Sequence, residues 1–304
     1  MTSMPDAPTA TGAFSPTLPH TVGVLGGGRM GAGIAHAFLM AGCKVLVVER
    51  DDDAAAGARE RVGSSVAKSV ERGLAGGTAE GRSVSRDIIM QRLTVSTNYG
   101  DFAPCDLVVE AVPEIRELKV SSLQGVEKHL TDRAVLASNT SSLSMSGLAA
   151  ELARPANFIG LHFFNPVPAS TLIEVVIAKQ TRPELVATAK GWVDALGKTA
   201  VVVNDAPGFA SSRLGVAIAL EAMRMVEEGV ASAEDIDAAM VLGYKHPTGP
   251  LRTTDIVGLD VRLGIAEYLE STLGERFAPP TILREMVARG ELGRKSGKGF
   301  FDWH

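Results

Sequence analysis

Apolar positions follow two regimes along the chain. From Thr21 to about Asn204, short runs of β-branched and aliphatic residues alternate with longer Ala-rich segments of helical spacing; beyond Asn204 only the helical spacing continues. Thr21-Val22-Gly23-Val24-Leu25 predicts a strand. It ends in Gly26-Gly27-Gly28-Arg29-Met30-Gly31, which opens a helical stretch to Gly42, and Lys44 to Glu49 predicts a second strand. Further apolar runs at 106–112, 134–138, 158–163, 172–177 and 200–203 repeat the theme. Continuous apolar runs separated by helices are the mark of strands buried on both faces of a parallel sheet. The expected fold class is therefore α/β, a doubly wound and mostly parallel sheet followed by an all-helical C-terminal domain. Asp205-Ala206-Pro207-Gly208 is turn chemistry and marks the change, giving expected domains over 21–204 and 205–304. Residues 1–20 hold four prolines and no basic segment leading into an apolar run. They are expected to form a disordered leader.

Composition narrows the function classes. A formal charge of −5 leaves no basic footprint, so nucleic acid is not an expected partner. No apolar run is long enough to cross a bilayer, so no membrane partner is expected. The two cysteines, Cys43 and Cys105, form no ligand-spaced cluster with histidine, which predicts neither a disulfide framework nor a structural metal and suits a reducing cytoplasm. Asp51-Asp52-Asp53 reads as a helix N-terminus favoured by the macrodipole, with metal binding as the alternative.

The glycine run sits between two predicted strands, and Glu49 follows Gly26 by 23 positions. That context turns a common glycine pattern into a Rossmann-type dinucleotide fingerprint. Gly26 permits the bend, Gly28 lets backbone approach a pyrophosphate, and Gly31 permits close packing of helix on strand. The helix N-terminus stabilises the phosphate charge. Gly26, Gly28, Arg29, Met30, Gly31 and Glu49 are the resulting cofactor candidates, with Glu49 on the adenosine ribose.

Oxidising an alcohol with a nicotinamide requires a base, and His162 closes a predicted strand at the edge where ligands bind in such sheets. Glu174, 12 residues later, lies in the apolar run Leu172-Ile173-Glu174-Val175-Val176, where an ionised carboxylate needs a partner. A His162–Glu174 pair satisfies both residues and would fix the imidazole tautomer. The alternative is a hydrogen-bonded core histidine with Glu174 on a solvated strand face. Ser141, in Asn139-Thr140-Ser141-Ser142 at another strand end, can offer a hydroxyl to a substrate oxygen, although the same residues make ordinary turns.

Taken together, SNTSSL, GLHFFNPVP, APGF, EDIDAAM, HPTGP and GRKSGKGFF resemble the L-3-hydroxyacyl-CoA dehydrogenase family, in particular its 3-hydroxybutyryl-CoA dehydrogenase type, over Thr21 to Trp303. The resemblance implies NAD-dependent, reversible oxidation of a 3-hydroxyacyl-CoA. It makes His162 the general base, Glu174 its partner and Ser141 a substrate donor. Glu114, Lys119, Asn165 and Lys295 match cofactor-contacting positions, and Ser65 and Arg72 match positions that contact coenzyme A, Arg72 replacing a lysine. It implies pairing of two chains through the helical domain, whose apolar stripe includes Leu214, Ile218, Met225 and Val241. Ser212 stands where the family has an asparagine that holds the thioester region. That departure keeps open a carrier-protein-bound or non-fatty β-hydroxy acid substrate. A non-catalytic, crystallin-like protein is the further alternative. Glu49 stands where aspartate is more frequent and Arg50 follows it; the acid favours NAD over NADP.

Overall fold

The computed structural model describes residues 18–74 and 85–303. They fall into two compact units. The first runs to Thr140 and resumes over Met145–Val202; the second takes Ser141–Ser144 and continues from Val203.

Eight strands form one sheet in the order β3-β2-β1-β4-β5-β6-β7-β8. They are β1 (Thr21–Leu25), β2 (Lys44–Val48), β3 (Leu93–Ser96), β4 (Leu107–Glu110), β5 (Val135–Ser138), β6 (Phe158–Phe163), β7 (Leu172–Ile177) and β8 (Thr199–Asn204). Strands β1 to β6 pair in parallel. β3 was not foreseen, because Leu93-Thr94-Val95-Ser96 is too short and too polar to read as a strand by pattern. Helices α1 (Arg29–Met40), α2 (Asp52–Glu71), α3 (Arg86–Met90), α4 (Arg116–Glu127), α5 (Met145–Ala149) and α6 (Pro183–Ala195) complete the unit. The inner face of α1 buries Ile34, Phe38 and Leu39 against Val22, Val24 and Val45 in a single core. Asp51 caps α2, accepting from the Ala54 N–H at 2.7 Å, which is the helix-start role expected of the acidic cluster.

One connection changes direction. Only the eight residues 164–171 separate β6 from β7. A parallel return needs a crossover of a dozen or more, so β7 comes back antiparallel to β6. Gly160 faces Val176 in that register, and a Cβ there would lie 2.7 Å from the Val176 Cβ.

The second unit carries α7 (Ser211–Glu227), α8 (Ala233–Ala238), α9 (Pro250–Val257), α10 (Leu259–Leu273) and α11 (Thr281–Ala288). Its core gathers Val216, Leu220 and Met223 of α7 with Leu259, Ala266 and Leu269 of α10 and Leu283 of α11. Two buried carboxylates organise it. Asp237 accepts from the N–H groups of Leu251 and Arg252 at the start of α9. Asp255 accepts from Phe300 N, Phe301 N and Trp303 Nε1 at 2.8–2.9 Å and ties down the chain end.

Part of the expected leader is built into the fold. Residues 1–17 lie outside the described residues, but Leu18 packs against the sheet core and Pro19 is buried. Met225 packs against the helical core, so of the apolar stripe expected on the helical domain Leu214 and Ile218 of α7 are exposed, while Val241 is half-buried.

Candidate active site

The sheet order reverses between β1 and β4, and ligands of open α/β sheets bind beyond the carboxyl ends of the strands at such a crossover. The glycine turn occupies that edge. Gly26 has φ +90° and donates its N–H to Val48 O at 2.9 Å. A Cβ on Gly31 would fall 1.7 Å from Gly26 O, so the turn closes only around glycine at that position. Around Gly28 nothing lies within 4 Å of a Cβ, leaving its backbone and the first N–H groups of α1, at Arg29 and Met30, open to a phosphate. Glu49 accepts the Gly27 N–H at 2.6 Å, so the acid expected on the ribose also holds the turn. Arg61 of α2 reaches Gly27 O at 3.0 Å, clamping the same residue from the other side. These residues fit a dinucleotide.

The antiparallel return of β7 sets His162 directly opposite Glu174. Nδ1 of His162 lies 2.8 Å from Glu174 Oε2, and both side chains are buried. An ionised carboxylate accepts only, so Nδ1 carries the proton and Nε2 is the basic nitrogen. The Phe164 ring packs 4.4 Å from the imidazole. Asn139 was missed by sequence reasoning: its Oδ1 accepts from Phe163 N at 2.8 Å and ties the ends of β5 and β6 together.

Lys119 is buried and pairs with Glu110 at 2.7 Å and with Glu114 at 3.2 Å. Glu110 was also missed. The signal was the one that exposed Glu174, an acid inside an apolar run, here Leu107-Val108-Val109-Glu110.

A cavity of about 580 Å³ opens between α1, α2 and the Asn165–Pro168 segment. Arg29, Arg61, Ser64, Ser65 and Asn165 line it, with Glu60 the one acid. Ser65 and Asn165 are thus brought together, whereas Arg72 caps the far end of α2 and does not line the cavity. The other expected residues belong to the second unit. Ser141 is in its 141–144 segment, Ser212 lies in the first turn of α7, and Lys295 is held by both oxygens of Asp260 at 2.5 and 2.6 Å.

Among the described residues there is no cluster of three or more His, Cys, Asp or Glu suited to a metal, and no helix is long and apolar enough to cross a membrane. Burial pushes the thiols of Cys43 and Cys105 up to about 11 and about 12.

Comparison with known proteins covers nearly all of the described chain. The family model described as 3-hydroxyacyl-CoA dehydrogenase, NAD binding domain, matches residues 21–206. The one described as 3-hydroxyacyl-CoA dehydrogenase, C-terminal domain, matches residues 208–303. A 3-hydroxybutyryl-CoA dehydrogenase of Mycobacterium tuberculosis is 40% identical over 285 residues, 93% of this chain and 98% of that protein. The mitochondrial hydroxyacyl-coenzyme A dehydrogenase of Sus scrofa is 34% identical over 99% of this chain and 96% of its own length. Among solved structures, an (S)-3-hydroxybutyryl-CoA dehydrogenase from Ralstonia eutropha superposes with a TM-score of 0.87 at 36% identity, covering 94% of this chain and all of that one.

Proposed function

The chain belongs to the 3-hydroxyacyl-CoA dehydrogenase family, and from that premise we propose a division of labour among its residues in the NAD-dependent oxidation of 3-hydroxyacyl-CoA to 3-oxoacyl-CoA. NAD, when bound, would supply the hydride acceptor for the C3 hydrogen of the substrate. His162 takes the hydroxyl proton at Nε2 as the carbonyl forms, and returns it in the reductive direction. Glu174 holds the Nδ1–H and stabilises the imidazolium that results. The 2.8 Å His162–Glu174 contact, buried and set by strand register, is the observation that carries this reading. Gly26, Gly28, Arg29, Met30, Gly31 and Glu49 seat the dinucleotide. Ser141 donates to the substrate oxygen, Ser65 and Arg72 contact the coenzyme A, and Glu114, Lys119, Asn165 and Lys295 contact the cofactor, Ser65 and Asn165 both lining the cavity.

The relatives favour a short acyl chain, 3-hydroxybutyryl-CoA. Two chains pair through the helical unit, where Leu214 is 63% and Ile218 39% exposed. The expected boundary between the domains near Asn204 and a cytoplasmic setting belong to the same reading. Ser212 supports one rival substrate, a carrier-protein-bound β-hydroxyacyl group, because a shorter hydroxyl replaces the amide expected there.

The test is the rate of NADH consumption with acetoacetyl-CoA, beside NADPH and beside His162→Ala. Turnover selective for NADH that falls about 10²-fold or more in the variant is expected. Undiminished turnover by His162→Ala removes the base assignment, and turnover only with carrier-bound substrate selects the rival.

A further inference from the structure

The buried face of α10 is made by Leu259, Arg262, Ala266 and Leu269. That is the apolar stripe of a core-facing helix with a cation in its second place. Arg262 is only 8% exposed, yet no carboxylate pairs with it among the described residues, and its Nε is buried without a hydrogen-bond partner. Burial brings its pKa down to about 10, so it remains a cation at neutral pH. A full charge with five N–H donors is thus held on the core face of the helix without an anion.

Gly215 of α7 makes the room for it. Glycine is disfavoured inside a helix. Here a Cβ would lie 3.3 Å from Nη1 and 3.8 Å from Nη2 of Arg262, so the guanidinium stands where a side chain of residue 215 would begin. Positions three and four apart share a helix face, and side chains lean toward the helix N-terminus. The guanidinium therefore lies on the face of α7 that also carries Ser211 and Ser212, both half-buried, within about one helical turn, about 5.4 Å. An apolar residue of the same volume would serve the core better than an unpaired ion. Stability is thus a poor account of Arg262, and an anion from outside the chain is what it lacks.

We infer that Arg262 is a specificity-determining residue: with Ser212 at the thioester region, it takes a carboxylate at the far end of the acyl chain, so that the preferred substrate class is a 3-hydroxyacyl-CoA whose acyl group ends in an acid. A guanidinium suits that group because its planar fork can donate two parallel N–H bonds to one carboxylate. The inference rests on the acyl-CoA reading above, and it moves the substrate from a short apolar chain to one that carries a second charge.

The test compares NADH consumption with 3-oxoadipyl-CoA, which ends in a carboxylate, and 3-oxohexanoyl-CoA, equal in length and ending in a methyl group, beside acetoacetyl-CoA. In the parent protein kcat/KM should be tenfold or more higher for the acidic substrate than for the neutral one. In Arg262→Met, which fills the stripe without a charge, that ratio should collapse to one or below through a raised KM for the acidic substrate. General loosening of the fold would lower both rates together and leave the ratio where it was. Should the variant not fold, inhibition of the parent by adipyl-CoA and by hexanoyl-CoA asks the same question, the acidic compound being expected to inhibit at tenfold lower concentration. A parent ratio within threefold, with acetoacetyl-CoA turned over, overturns the inference and leaves the acyl-CoA reading standing. If Arg262→Met then also turns a dimer into a monomer by light scattering, the missing anion belongs to a second copy of the chain. Absence of turnover with all three substrates overturns the acyl-CoA reading and this inference with it.

Discussion

At the scale of single residues, two buried histidines stand in opposite settings. His162 has Glu174 2.8 Å from its Nδ1, the contact on which its proposed role as base rests. Glu174→Gln keeps a hydrogen-bond acceptor but loses the charge that stabilises imidazolium, so kcat with saturating cofactor should fall by about 10² or more. A loss under threefold would show that the carboxylate only packs. His36 behaves oppositely. Its Nε2 sits 2.8 Å from Ser69 Oγ in a buried contact, while Nδ1 has no partner among the described residues. Burial, aided by the nearby Lys198 charge, lowers its pKa from the ordinary 6.5 to about 4. The folded state therefore refuses a proton that the unfolded chain accepts. The stability involved is fully present above pH 6.5 and is lost as pH falls toward 4, amounting to about 3 kcal/mol at the acid end. Melting temperatures from pH 7 to pH 4.5 should drop less steeply for His36→Gln than for the parent; parallel curves would contradict this.

At the scale of elements, the β6–β7 return is decisive. An eight-residue connection forces an antiparallel pair, and an antiparallel pair in this register makes His162 and Glu174 neighbours. The same register brings Gly160 against Val176 with room for no side chain. Gly160→Ala should destabilise by about 1–3 kcal/mol and depress activity, because the overpacked pair must separate the strands that carry the site. Adding Val176→Ala opens the space and should restore both thermal stability and rate. If stability recovers without rate, the register is not what couples them. Asp237 and Asp255 play comparable parts in the helical unit. A Cβ on Gly249 would fall 2.1 Å from Asp237 Cγ, and one on Gly299 2.2 Å from Asp255 Oδ1. The motifs EDIDAAM, HPTGP and GRKSGKGFF thus also supply carboxylate cradles that close helices and tie down residues 299–303.

At the scale of the whole molecule, two features remain to be used by other molecules or withheld from them. Leu214 and Ile218, members of the expected stripe, form an apolar exposed strip on α7. Light scattering should find a dimer in the parent protein and a monomer when both residues are changed to glutamate; an unchanged mass would place the pairing surface elsewhere. Cys43 and Cys105 are buried with thiols held protonated, so neither should react with iodoacetamide until the protein unfolds. Rapid labelling of the native protein would contradict that burial.

The sequence by itself determined what depends on neighbours in the chain. The glycine turn with Glu49, the continuous apolar strands, the Asp51 cap and the helical change after Asn204 all follow from local spacing and conformational preference. It also marked Glu174 as an acid in need of a partner, because charge inside an apolar run is costly wherever the run ends up. It did not reveal β3, whose four residues carry too little pattern, or the packing of Leu18, Pro19 and Met225. Only the tertiary structure decided which residues meet. Strand order put Glu110 between Leu25 and Ser138, and it joined Lys119 to two carboxylates. Strand direction put Glu174 opposite His162. These contacts span 9 to 28 positions of chain, beyond the reach of periodicity, and their energies depend on burial that exists only once the sheet has assembled.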